Sequence, residues 1–474
     1  MFTGAWTTGS GADIAVTEKA TGTRLGAVGG ATVADLDASV ASALAAQREW
    51  AAKPYLARAE VLHRAAQLLQ ENPARLSYWL VREAGSGQAK AKVEAKLVGH
   101  ELREAAATAS QPYGELLRSV KPRLSMVRHI PVGVVGVISP FNFPAVLAMR
   151  SVAPALALGN AVILKPDPRT SVAGGMALAE LLTEAGLPAG LLHVLPAEAE
   201  VGQALVAHPD VPCISFTGST DAGRAIGQQA SKLLKKVHLE LGGNNALLVL
   251  PDADVELAAA NGAWGSFLHQ GQVCMTTGRH LVHNSLVAQY TELLAAKAER
   301  LRVGDPTQDG IALGPIIDAA QRDKVHAVVT ESIDSGATLA AGGTFDGLFY
   351  RPTVLSGVVA GSRAFSEEVF GPVAPVVGYD SVEEAVEIIN SDQYGLSTGI
   401  LTADAMRAFE LSHRIASGMV HINDQTIDDE ATVPFGGIKA SGSGGHFGGV
   451  KASLDAFCHM QWVTMRSDIP PYPF

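Results

Sequence analysis

Between Val132 and Glu240 the chain alternates short, uninterrupted apolar runs with helical stretches. This alternation constrains the fold more than any other feature. The runs are Val132–Ile138, Ala161–Leu164, Leu191–Leu195, Cys213–Phe216 and Lys236–Leu239, with helical patterns at Pro144–Leu158, Ser171–Ala185 and Asp221–Leu234 between them. A strand that is apolar at nearly every position is buried on both faces, which requires helices on both sides of a parallel sheet. The expectation is therefore an α/β, doubly wound body. A second α/β unit is expected from Gly243 to about Gly437, with candidate strands at Ala246–Leu250, Leu281–Val282, Val373–Val377 and Ser397–Leu401. Residues 34–112 are Ala-rich with apolar positions at helical spacing. Two strand-like segments, Glu115–His129 and Ala456–Met465, belong to neither body.

At 474 residues the chain is long enough for two or three domains. Its 36 Lys and Arg against 47 Asp and Glu leave a net charge of −11, and no basic run is longer than Lys235-Lys236. Nucleic acid is thereby excluded as an expected partner, since phosphate neutralisation needs a concentrated positive face. The first residues, MFTGAWTTGSGAD, lack the basic and apolar regions of a secretory signal, so the expected compartment is the cytoplasm. The most apolar stretch, Pro144–Leu164, is interrupted by Arg150, Pro154 and Asn160, and no membrane span is expected. Three scattered cysteines and the absence of an HExxH pattern give no basis for a catalytic metal.

Five positions carry candidate chemistry. Cys274 sits in FLHQGQVCMTTGR, where small and polar neighbours leave room for a ligand beside a soft nucleophile. Alone, such a thiol is as readily a core residue. Glu240 ends a strand against Leu-Gly-Gly, where a carboxylate can act as a general base or be a solvated strand end. Asn142, in ISPFNFP, follows the first strand; its amide can stabilise an oxyanion or merely form a turn. Lys165 ends the second strand, placed for ribose or phosphate binding or for simple snorkelling. Phe216–Gly223 is a glycine-containing strand-to-helix turn whose amides can face a pyrophosphate. It is neither a P-loop nor GxGxxG.

Taken in chain order, SPFNFP, ILKPD, FTGST, LELGGNN, GQVC, EEVFGPV and PFGGIKASGSG resemble the aldehyde dehydrogenase superfamily, from about residue 30 to the C-terminus. The resemblance implies Cys274 as nucleophile, Glu240 as the base that activates water, and Asn142 with the Cys274 backbone N–H as oxyanion hole. It implies NAD or NADP held by Ser139, Pro140, Phe141, Lys165, Asp167, Pro168, Gly218, Ser219, Gly223, Leu241, Gly242, Glu368 and Phe370. It also implies a Rossmann-like cofactor domain (1–112 and 132–242), a catalytic α/β domain (243–440) and a small β oligomerisation arm (113–131 and 441–474). A homodimer or homotetramer acting on a small-molecule aldehyde follows from the same resemblance.

Closer similarity, through FLHQGQVCM, GRHLVH, MVHINDQ, ASGSGGHFGG and the ending PYPF, is to NAD-linked benzaldehyde dehydrogenases, with vanillin enzymes as neighbours. Phe143, Leu147, Phe435 and His446 are the expected substrate-pocket residues. Two positions depart from many relatives. Pro168 replaces a ribose-binding Glu, so a 2′-phosphate is not repelled and NADP is admitted, with Asp167 as a partial substitute. His446 replaces an acid in the late glycine-rich loop. A semialdehyde dehydrogenase anchored through Arg150 or Arg279, and a non-catalytic binding module of the same fold, are the open alternatives.

Overall fold

The computed structural model describes residues 1–474. Its first sheet has five parallel strands in the order Leu192–Val194, Ala161–Lys165, Val134–Ile138, Cys213–Thr217, Lys236–Glu240. The chain thus starts in the middle of the sheet, winds one way and then the other. The reversal falls between Val134–Ile138 and Cys213–Thr217, and ligands of such sheets bind at the carboxyl ends beside that point. Those ends carry Ser139 to Asn142, Lys165, Gly218 and Glu240.

The helices Val33–Ala52, Tyr55–Glu71, Gln88–Thr108 and Pro144–Ala157 pack with this sheet into one continuous apolar core. Every residue of Pro144–Ala157 is buried, which explains a helix with no polar face. The expected helix at Ser171–Ala185 instead begins as a 3-10 turn and a π-helical turn, becoming α-helical only at Ala177–Glu184. Gly174 and Gly175 press on Pro144 and Val194 there, too closely for any side chain.

The second sheet has seven strands, in the order Thr338–Ala341, Thr353–Ser356, Val373–Tyr379, Thr277–His283, Asn245–Val249, Ser397–Leu401, Met419–Ile422. All neighbours are parallel except the first pair. Four of these strands match the expected ones; Thr338–Ala341, Thr353–Ser356 and Met419–Ile422 do not appear in the sequence reading.

The two homeless segments pair with each other. Cys458–Met465 runs antiparallel to Leu124–Pro131 over eight residue pairs, and Gly114–Leu116 adds a third strand. Residues 441–457 do not join this sheet. Ser441 and Ser443 bond to the strand end at Leu239–Leu241, and the helix Gly449–Phe457 packs on Gln88–Thr108 and Pro144–Ala157. No helix is long and apolar enough to cross a membrane.

Candidate active site

Cys274 lies in the loop between the helix Val255–Phe267 and the strand Thr277–His283. The loop is held open by two non-glycine residues in the left-handed region, His269 (φ 49°) and Gln270 (φ 57°). Such backbone persists only where surroundings over-determine it. Here Gln270 Nε2 donates to the carbonyls of Gly85 and Pro315, and Gln272 Oε1 accepts from Ile317 N–H. Thr426 Oγ1 donates to the Met275 carbonyl at 2.7 Å. Asn245 Nδ2 reaches the Cys274 and Thr276 carbonyls.

A cavity of about 200 Å³ opens beside the sulfur. Cys274 and Asn142 line it together with Phe143, Leu147, Phe435, Trp264 and Arg150. Three of the four expected pocket residues are therefore there. His446 is not: it lines a different cavity, together with His238 and Lys236. The loop that carries His446 lies over His238, on whose ring Phe447 stacks, and not over the Cys274 cavity. The sequence reading missed Trp264, Val93, Leu97 and Ile427, apolar residues on separate elements that only the fold unites.

Arg150 is the cavity's one cation, and it is fully engaged. It bonds Glu101 at 3.2 Å, forms an ion pair with Asp429 and stacks 4.8 Å from the Phe435 ring centre. Arg279, the other proposed carboxylate anchor, is buried away from the cavity, paired with Asp392 at 3.0 Å and donating to the Asn244 carbonyl.

Asn142 is fixed from behind by a buried ion pair. Lys90 Nζ donates to the Asn142 carbonyl at 2.7 Å and to Glu94, and stands 4.0 Å from the centre of the Phe143 ring. Glu94 Oε1 in turn accepts from the Ala145 N–H at 2.9 Å, at the start of the helix Pro144–Ala157. In sequence this Lys-Glu pair at i, i+4 looks like an ordinary solvated helix face.

Burial pushes the Cys274 thiol up to about 12, and the nearby Glu368 and Glu240 carboxyls push in the same direction. Glu240 is itself buried, which raises it well above the usual carboxylate range against the opposing pull of Arg150 and the Gly437 N–H. Burial likewise raises Glu368 to about 7, although its Oε1 accepts from the Gly243 N–H at 3.0 Å.

Beside the sheet ends, the residues fit a dinucleotide. A side chain on Gly218 would strike the Phe216 ring, one on Gly223 would strike Leu241, and one on Gly242 would come within 2.3 Å of the Glu368 carboxyl. Ser219 caps the helix Thr220–Lys232, whose amides face that glycine turn. Lys165 is buried with no carboxylate in salt-bridge contact; its only hydrogen bond is a 3.4 Å contact to the Pro166 carbonyl. Phe370, with φ 55°, meets Phe141 edge to face at 5.8 Å. Asp167 is not free to take a ribose hydroxyl. Both its oxygens are held by Arg169, which also bonds Asp318 and covers the Phe141 ring at 4.3 Å.

The family profile described as "Aldehyde dehydrogenase family" matches residues 6–463. The chain is 57% identical to a vanillin dehydrogenase of an Amycolatopsis species, over all of this chain and 98% of that one. It is 49% identical to a benzaldehyde dehydrogenase [NAD(+)] of Pseudomonas putida, over all of this chain and 97% of that one. Among solved structures, a salicylaldehyde dehydrogenase from Pseudomonas putida G7, complexed with salicylaldehyde, superposes with a TM-score of 0.96 at 33% identity, covering 100% of this chain and 99% of that one. Matched by the family profile over residues 6–463 and by relatives at 49–57% identity over its full length, this chain is a member of the aldehyde dehydrogenase family.

Proposed function

We propose that the protein oxidises aromatic aldehydes to carboxylic acids with NAD, and that it also accepts NADP. The observation that carries the substrate class is the cavity beside Cys274: about 200 Å³, lined mainly by apolar side chains, with its single cation already neutralised by Glu101 and Asp429. That volume lies below the ~300 Å³ at which ordinary ligand pockets begin, so it suits a single ring. A semialdehyde's distal carboxylate finds no free cation there. The buried Oδ1 of Asp429, which has no hydrogen-bond partner, offers an acceptor to a ring hydroxyl.

In this reading the Cys274 sulfur adds to the aldehyde carbon, and the resulting oxyanion is held by Asn142 and the Cys274 N–H. The bound dinucleotide supplies the hydride acceptor. Lys165 would hold its adenosine ribose, Gly218, Ser219 and Gly223 its pyrophosphate, and Leu241, Gly242, Glu368 and Phe370 its nicotinamide end. Loss of hydride leaves a thioester on Cys274, and Glu240 takes a proton from the water that hydrolyses it. The names of the vanillin and benzaldehyde relatives support the substrate class, and the second supports NAD. NADP acceptance rests on Pro168 and on Asp167, which Arg169 occupies, so that no free carboxylate opposes a 2′-phosphate. The exposed apolar side chains of the three-stranded sheet, Leu116, Met460 and Trp462, support self-association through that sheet.

The test is reduced-cofactor formation by the purified protein with benzaldehyde, vanillin, succinic semialdehyde and hexanal, with each cofactor, beside Cys274→Ala. Turnover of the aromatic aldehydes with NAD and NADP, lost in Cys274→Ala, is expected. A preference for succinic semialdehyde overturns the substrate class, and no turnover at all overturns the enzymatic reading.

A further inference from the structure

His238 has no role in the chemistry described so far, yet it is bound to the group that carries the last step. Its Nε2 lies 3.2 Å from Glu240 Oε1, two residues along the same strand and therefore on the same face. The ring is buried, stacked on Phe447 with centroids 4.0 Å apart, and Gly445 closes on its edge so tightly that a side chain there would sit 3.1 Å from the ring. Its other nitrogen, Nδ1, is buried with no hydrogen-bond partner. A buried polar atom is rarely left unpaired unless it serves a function. On its far side the residue lines a cavity of about 650 Å³ that opens to solvent, separate from the cavity beside Cys274.

Resting on the reading of Glu240 as the base, we propose that His238 is a positioning and proton-transfer residue that carries the proton from Glu240 to the solvent-facing cavity behind it. The balance is simple. Water attacking the thioester loses a proton to the Glu240 carboxylate; the carboxyl passes that proton to His238 Nε2; Nδ1 releases its proton to water, Glu240 is again a carboxylate, and rotation of the ring with proton exchange against water of the far cavity restores the Nδ1–H tautomer. Burial raises Glu240 and depresses His238, so charge on either member of the pair is disfavoured. Glu240 Oε2 has no hydrogen bond of good geometry, which leaves His238 Nε2 as its one side-chain partner.

The charges around the pair are few. Arg150, Cys274 and Glu368 lie on the side of the Cys274 cavity, and among them Arg150 opposes the upward shift of Glu240. On the far side His446 faces the imidazole and disfavours its charge; Lys236, Lys451 and Asp455 line the same cavity. The loop Gly442–Gly449, five of whose eight residues are glycine, contributes to the lining of that cavity. Small movements of such a loop admit water without unpacking the strand.

The experiment compares His238→Gln and Glu240→Gln with the parent protein, all checked for folding by thermal melting and for cofactor binding. Glutamine at 238 keeps a donor for Glu240 but cannot relay a proton. In His238→Gln, rapid mixing with benzaldehyde and NAD should give a full burst of NADH followed by steady turnover slowed about 10- to 100-fold. Added imidazole should restore turnover in proportion to its concentration, and the pH profile should steepen toward the alkaline side. Turnover within twofold of the parent, or a slow variant with no burst and no rescue, overturns the proposal and leaves His238 a packing residue. If Glu240→Gln itself turns over normally, the reading of Glu240 falls and the relay with it. If Glu240→Gln stalls after its burst while His238→Gln does not, only the relay falls.

Discussion

The side-chain amide of Asn245 donates to the carbonyl oxygen of Cys274 at 2.8 Å. The same nitrogen reaches Thr276, and the amide oxygen accepts from the Ser397 N–H, so one residue ties the nucleophile's loop to two strands of the seven-stranded sheet. Asn245→Ala leaves these buried groups unpaired, at about 1–3 kcal/mol each. A lower melting temperature is expected. Loss of loop position should also cut kcat by about 10- to 100-fold while cofactor affinity, measured by fluorescence titration, stays near that of the parent.

Behind the other wall of the cavity, the Lys90–Glu94 pair holds Asn142 and the start of the helix Pro144–Ala157. Removing one member of a buried pair costs about 3–5 kcal/mol, because the survivor's charge is stranded. Lys90→Met is therefore expected to melt well below the parent, and the double change Lys90→Met with Glu94→Leu should recover part of that loss. Calorimetry decides. A single variant as stable as the parent would mean that the pair contributes nothing to holding the site.

Asp429 and Glu101 together neutralise Arg150. Asp429→Asn removes one of the two negative partners and takes the cluster from a net charge of −1 to zero, which lifts a negative charge from the cavity wall. The ratio of kcat/KM for succinic semialdehyde over benzaldehyde should rise about tenfold, equivalent to ~1.4 kcal/mol. An unchanged ratio would show that the charge of Arg150 does not reach the substrate.

The Cys274 thiol, pushed up to about 12 by burial and by Glu368 and Glu240, rests as the neutral thiol in the cofactor-free protein. Below its pKa the reactive thiolate grows tenfold with each pH unit. Inactivation by iodoacetamide should therefore keep accelerating from pH 7 to pH 10 with no plateau. Cys213 and Cys458 are raised to about 12 as well, and both are buried. Mass spectrometry should accordingly find the label on Cys274 first. A plateau near neutral pH would mean that a positive group offsets the two carboxyls.

Most strands of the first sheet are legible because they are apolar along most of their length, the mark of burial on both faces; Lys236–Glu240, with Lys, His and Glu, is the exception. The strands Thr338–Ala341, Thr353–Ser356 and Met419–Ile422 are four residues each, lie toward the sheet's margins and carry no such signature. Cys274, Glu240 and Asn142 were visible through their motifs, but their supports were not. Lys90 and Glu94 have the spacing of a solvated ion pair, and only the packing of two helices reveals that they are buried. Asp167 looked available for a ribose because nothing in the sequence says that Arg169 folds back onto it. Its place in the chain points His446 to the substrate pocket, but the glycine-rich loop that carries it packs over His238 and puts it at the other cavity.

The three-stranded sheet offers a last expectation. Cys458–Met465 pairs with Leu124–Pro131 along its whole length, yet Met460 is 74% exposed and Trp462 is 60% exposed. Residues two apart on a strand share a face, so Met460 and Trp462 leave apolar surface uncovered on one side of the sheet, while Leu116, in register with Met126 and Val463, is exposed on the other. Covering that surface with a second copy would contribute about 25 cal/mol per Å² buried. Met460→Glu combined with Trp462→Glu would place two carboxylates in that contact. The double variant is expected to show a lower molar mass than the parent by light scattering after size exclusion, with each subunit still folded by circular dichroism. An unchanged mass would remove this sheet as the site of self-association, and a monomeric parent would remove self-association itself.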